Sequence, residues 1–170
     1  MSRLRQRLGL PRYEADEHFK LALQAFDRRD LDQAIDNMDK AIAILPTRAE
    51  YYATRGYFFL EDGLPEKAAP DFEEALKHYR FEMLAHYGLG VIAYKRRDYD
   101  AALEHFTNAY AAQPDRPEVL YYLALVHHRK RENLPALNYM RQAEAIYEKN
   151  NDKRSRDAKR WVREIEKLAE

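Results

Sequence analysis

The sequence predicts an all-α fold of four stacked helix pairs, on three observations. Ala34, Ala68, Ala102 and Ala136 stand 34 residues apart, and so do Ala41, Ala75, Ala109 and Ala143. Between the two alanines of each unit lies a bulky apolar residue, Met38, Phe72, Phe106 or Met140, and a small one leads each unit, Ala22, Gly56, Gly90 or Ala124. Within a unit the apolar residues recur at three and four, the helical period, over residues 15–27 and again over 31–44, with the polar "DRRD" between them.

Each element of the unit has a local cause. Asp30, Asp98 and Glu132 sit where a side-chain oxygen caps the second helix, and Gly63 gives the second unit a permissive turn. Pro46 and Pro114 end the second helix and reset the chain. Small residues are expected where antiparallel helices approach closely, with Met38, Phe72, Phe106 and Met140 filling the space between. One such pair cannot bury its own apolar face, whereas a stack of four can. The tail "NDKRSRDAKRWVREIEKLAE" supplies a last helix, because Ala158, Trp161, Val162, Ile165, Leu168 and Ala169 fall on one stripe with Lys and Arg opposite. That helix is expected to cap the fourth unit.

This pattern resembles the tetratricopeptide repeat. The residues that carry the resemblance are a small one at unit position 8, Ala at 20, an aromatic or Met at 24, Ala at 27 and Pro at 32. The resemblance implies a right-handed α-solenoid of four units, 15–48, 49–82, 83–116 and 117–150, between a basic N-terminal extension at 1–14 and a capping helix at 151–170. The sequence departs from the family pattern at position 32, which is Arg80 in the second unit and Glu148 in the fourth, and at position 7, which is Arg55 in the second. No unit has the common Trp at position 4.

Composition narrows the function classes. No shift in composition divides the 170 residues, so one domain is expected. No apolar run reaches the roughly 18 residues of a spanning helix, and the start "MSRLRQRLGLPRYEADE" has basic residues without an apolar stretch, which predicts a cytoplasmic chain. The absence of Cys removes disulfides, thiolate catalysis and Cys-ligated zinc. His127 and His128 are adjacent and point roughly 100° apart on a helix, so neither a metal nor a cofactor is expected. Without a phosphate loop, a nucleophile elbow or a paired carboxylate cleft, the chain is expected not to be an enzyme. The net charge of zero hides an asymmetry: residues 13–82 carry 9 basic against 16 acidic groups, while residues 1–12 carry four Arg and no acid.

The resemblance further implies a protein-interaction module, an adaptor, scaffold or assembly factor, whose first helices line a concave groove through unit positions 2, 5, 6, 9, 12 and 13. Helical spacing independently puts those positions on one face. The candidate groove residues are Phe19, Lys20 and Leu23, then Tyr57 and Glu61, then Tyr87, Val91, Tyr94 and Lys95, then Tyr121, Tyr122, Leu125, His128 and Arg129. Position 13 runs Asp27, Glu61, Lys95, Arg129, so the expected ligand is a protein or peptide segment, basic over the first two units and acidic over the last two. The family's clamp for heat-shock carboxylates needs Lys, Asn and Arg where this chain has Phe19, Leu23, Thr54, Leu84 and Gly88, so that use is not expected. Two other readings stand beside it. One is an anionic-surface binder for nucleic acid or lipid through the basic termini, with Leu4 and Leu8 among Arg3, Arg5 and Arg7; the other is a self-assembling scaffold.

Overall fold

The computed structural model describes residues 9–169, Ala169 by its backbone alone. Leu4, Leu8, Arg3, Arg5 and Arg7 lie outside the described residues, as does the side chain of Ala169. The described residues form nine α-helices and no strand: α1 Leu10–Asp27, α2 Leu31–Ile44, α3 Ala49–Glu61, α4 Pro65–His78, α5 Met83–Lys95, α6 Tyr99–Ala112, α7 Pro117–Arg129, α8 Asn133–Lys149 and α9 Ser155–Ala169. The fold is an all-α helical repeat of the solenoid class. α1 starts at Leu10, so residues 10–14 are helical where an extension was expected; Pro11 in the first turn, with its fixed φ, favours that earlier start.

The helices gather into two compact units, one ending at Gly88 and one beginning at Leu89. In a stacked repeat each pair packs only on its neighbours, so such divisions arise without a linker. In the first unit α1, α2 and α3 share a core of Ala22, Ala25, Ala34, Met38, Ala41, Tyr51 and Phe58. In the second, α7, α8 and α9 share Leu120, Ala124, Met140, Ala143, Tyr147, Ala158, Val162 and Ile165. Ala158, Val162 and Ile165 of the α9 stripe are therefore occupied inside the protein, while Leu168 is exposed.

The two Ala sets and the bulky residue between them are all fully buried. Size compensation explains which small residue leads each unit. A Cβ on Gly56 would stand 2.9 Å from the Phe72 ring, and one on Gly90 2.8 Å from the Phe106 ring, closer than carbon atoms pack. Where the bulky residue is the more slender Met38 or Met140, the leading residue is Ala22 or Ala124. Phe72 also lies against Gly88, where any Cβ would overlap its ring.

The turns repeat a backbone device. Arg29, Gly63, Arg97 and Arg131, again 34 residues apart, all adopt left-handed φ of 64°, 77°, 63° and 62°. In each case the next residue's N–H closes a wide turn onto a helix carbonyl: Asp30 to Ala25, Leu64 to Phe59, Asp98 to Ala93 and Glu132 to His127, at 2.9 to 3.0 Å. This is the Schellman arrangement, which consumes carbonyls left open at a helix end. Asp30 then accepts from the Gln33 N–H and Asp98 from the Ala101 N–H, both at 3.1 Å, capping α2 and α6. Glu132 does not cap α8 with its side chain: the longer carboxylate reaches back to Nδ1 of His127 at 2.5 Å. α4 has Leu64 at its cap position and starts on Pro65, which needs no N–H partner.

Candidate functional site

The candidate residues separate by depth. In the first unit Lys20, Leu23, Asp27 and Glu61 are exposed, whereas Phe19 and Tyr57 are half-buried. Phe19 packs its ring 5.3 Å from Tyr51, and Tyr57 lies 5.8 Å from Phe26. Tyr87 is half-buried as well. In the second unit Lys95 and Arg129 are exposed, and Arg129 Nε donates to the Tyr94 hydroxyl at 3.3 Å. Two candidates are corrected. Val91 and Leu125, at 4% and 7% exposure, are core residues, because these helices are packed on more than one side and positions three apart need not share one depth.

Three more candidates serve α9 or the packing beneath it. The Tyr121 hydroxyl donates to Asp157 of α9 at 2.5 Å; burial first, and then this hydrogen bond, pushes its pKa well above the ordinary phenol value. Tyr122 stacks on Phe106 with ring centroids 5.1 Å apart. His128 meets Trp161 of α9 edge-on at 5.5 Å, and its buried Nδ1 has no hydrogen-bond partner among the described residues. Tyr121 and Tyr122 are thus partly spent on internal contacts.

Sequence reading missed a set of charged ties. Arg55, the departure at position 7, donates two bonds to Asp71 of α4, at 2.8 and 2.6 Å, and a third to Asp39 of α2 at 2.6 Å. The hydrogen bonds to Asp71, against the opposing effect of burial, and then to Asp39 push the Arg55 pKa up. Arg48 reaches Asp16 and Glu50 at 3.0 Å each, while Tyr51 donates to Asp16 at 2.7 Å. Burial and that bond push the Tyr51 pKa up to about 12. Arg154 repeats the motif in the second unit by bridging Glu118 at 2.9 Å and Asp152 at 2.6 Å. Only the period could have drawn attention to these residues, since position 2 is acidic in three of the four units, Asp16, Glu50 and Glu118.

Among the described residues no helix is long and apolar enough to cross a membrane, and no three His, Asp or Glu side chains gather as metal ligands would. Among the described residues, each unit exposes charges at repeat position 13, Asp27 and Glu61 in the first and Lys95 and Arg129 in the second, beside half-buried aromatic rings.

Comparison with known proteins gives this arrangement its relatives. Photosystem I assembly protein Ycf3 of Rippkaea orientalis is 27% identical over 122 residues, which is 65% of this chain and 69% of that protein. Anaphase-promoting complex subunit 3 of Schizosaccharomyces pombe is 26% identical over 136 residues, covering 78% of this chain, and the chain spans only 20% of that longer protein. Among solved structures, PilF of Pseudomonas aeruginosa superposes with a TM-score of 0.70 at 19% identity, over 91% of this chain and 78% of its own, a likeness of fold. A tetratricopeptide repeat model matches residues 54–106 and 87–151, together more than half of the chain. With the 34-residue period, the helix pairs and their small-residue contacts in place, the chain belongs to the tetratricopeptide repeat family.

Proposed function

We propose that this protein is a non-catalytic adaptor or assembly factor that holds a segment of a partner protein against its first helices. The observation that carries the reading is position 13: Asp27, Glu61, Lys95 and Arg129 are all exposed, acidic in the first unit and basic in the second. A basic stretch of the partner suits the face of the first unit, where Leu23 adds exposed apolar surface, and an acidic stretch suits the second. Two relatives support an assembly role, one being an assembly protein and the other a subunit of a complex. The family in general consists of interaction modules rather than enzymes, which supports a non-catalytic role.

The test is capture of partners from a lysate of the source cells on the immobilised chain and on two charge-reversed forms. These are Asp27→Lys with Glu61→Lys, and Lys95→Glu with Arg129→Glu. All four positions are exposed, so both forms should keep native helical content. A protein retained by the native chain and lost from both reversed forms supports the reading. Equal retention of the same proteins by all three forms refutes it.

A further inference from the structure

We propose a second binding surface, on the turn edge of the second unit, that takes a short run of carboxylates from an acidic protein segment. It adjoins the helix faces above and shares Lys95 and Arg129 with them, and its test turns on Arg97 and Arg131, which that reading does not use. Lys95 ends α5 and Arg96 and Arg97 form the turn after it, while Arg129 ends α7 and Lys130 and Arg131 form the turn into α8. Two contacts bring these turns onto one edge: Arg129 bonds the hydroxyl of Tyr94, at the end of α5, and Lys130 pairs with Asp100, in the first turn of α6.

The three carboxylates nearest in sequence are already engaged. Asp98 caps α6, Asp100 holds Lys130, and Glu132 is bonded to His127. Among the described residues Lys95, Arg96, Arg97 and Arg131 make no ion pair, and all four are exposed. The corresponding turns of the first unit read Asp27, Arg28, Arg29, Asp30 and Glu61, Asp62, Gly63, where acids outnumber cations. Among these turns the surplus of positive charge is therefore confined to the second unit.

Backbone conformation singles out two of these cations. Arg97 and Arg131 occupy left-handed positions that Gly63 fills in the second repeat, and a non-glycine residue there is strained. Arg29 shares that strain in a charge-balanced turn; at Arg97 and Arg131 it coincides with the local surplus of positive charge, and the two together point toward a use for these side chains. A guanidinium offers a fork of donors that matches a carboxylate. A short acidic segment feels this local surplus within a Debye length of roughly 8–10 Å. A long polyanion or a bilayer instead meets a chain whose 29 basic and 29 acidic groups cancel, which favours the peptide.

The same geometry provides a clean test. Arg97→Gly with Arg131→Gly removes two charges while relieving two strained turns, so lost binding cannot be ascribed to unfolding. Arg29→Gly makes the identical backbone change in a charge-balanced turn. The probe is a fluorescent oligoglutamate of about eight residues, titrated into the full chain at low and raised salt, beside oligoglutamine, oligothymidylate of equal length and phosphatidylserine vesicles. Oligoglutamate should bind more tightly than the other three and weaken as salt rises. The double variant should bind it roughly five- to tenfold more weakly, the order expected for two exposed charge contacts, with Arg29→Gly unchanged. Undiminished binding by the double variant, or equal binding of oligoglutamine, overturns the proposal. Tighter binding of oligothymidylate or vesicles replaces the acidic segment with nucleic acid or lipid and overturns it too.

Discussion

The left-handed turns allow stability to be raised by removing side chains. Arg29, Arg97 and Arg131 each sit at φ between 62° and 64°, where an L-residue's Cβ crowds the following carbonyl at about 1–2 kcal/mol. Glycine avoids that crowding and costs about 0.5–1 kcal/mol in extra unfolded-state entropy. The difference is a gain of roughly 0.5–1 kcal/mol for each Arg→Gly, and about 2 kcal/mol for the three together if they act independently. For a chain of this size that corresponds to a Tm rise of roughly 4–8 °C. Gly63→Arg, which writes the same side chain into the one permissive turn, should cost a similar amount. Circular dichroism followed through heat and urea unfolding would measure all six proteins: the native chain, the three single glycine variants, their combination and Gly63→Arg. The reasoning is refuted if the three glycine variants unfold earlier than the native chain while Gly63→Arg does not.

Other changes test the interior. Arg55→Leu leaves Asp71, 7% exposed, without its guanidinium, and should cost about 3–5 kcal/mol in urea unfolding; adding Asp71→Leu should recover most of it. Gly56→Ala pushes a methyl into the Phe72 ring and should lower stability by about 1 kcal/mol, and a double-mutant cycle with Phe72→Met should show favourable coupling above ~0.5 kcal/mol. Tyr51, whose folded pKa of about 12 exceeds the unfolded value of 10, stabilises the fold in its neutral form. That contribution is complete below pH 10 and is lost as pH rises toward 12, by up to about 2–3 kcal/mol. Tyr51→Phe should flatten this part of the alkaline loss when urea midpoints at pH 8 and 11 are compared; an unchanged alkaline loss would remove Tyr51 from it.

How much of this could be read from the chain depends on how local each cause is. The alternation of Ala34, Met38 and Ala41, copied every 34 residues, is a packing requirement between neighbours in sequence, so period and composition disclose it together. The cap at Asp30 needs only its own turn. Arg55 is different: its partners are 16 residues away in either direction, and no local pattern marks an Arg that answers a buried Asp. Arg97 in a left-handed turn was legible only by laying it over Gly63, since its own side chain argues against that conformation. At the candidate surface, helical spacing groups Val91 with Tyr87 and Leu125 with Tyr121 but carries no information about depth, and the structure buries Val91 and Leu125. Tyr121 shows a further limit, because its tie to Asp157 depends on where α9 docks rather than on anything near residue 121.

The bulky residue of each unit also decides whether units could be exchanged. Phe72 is followed by a bare Gly88 at position 6 of the next unit, whereas Phe106 is followed by Tyr122 and stacks on it with the rings 13° from parallel. These two junctions are therefore each keyed to their own successor. Deleting the third unit would set Phe72 against Tyr122, which is overfilled, and duplicating it would set Phe106 against Gly88, which is hollow. A chain that looks like four interchangeable modules thus has its order written into ring contacts, and recombination could lengthen it only by replacing both sides of a joint at once.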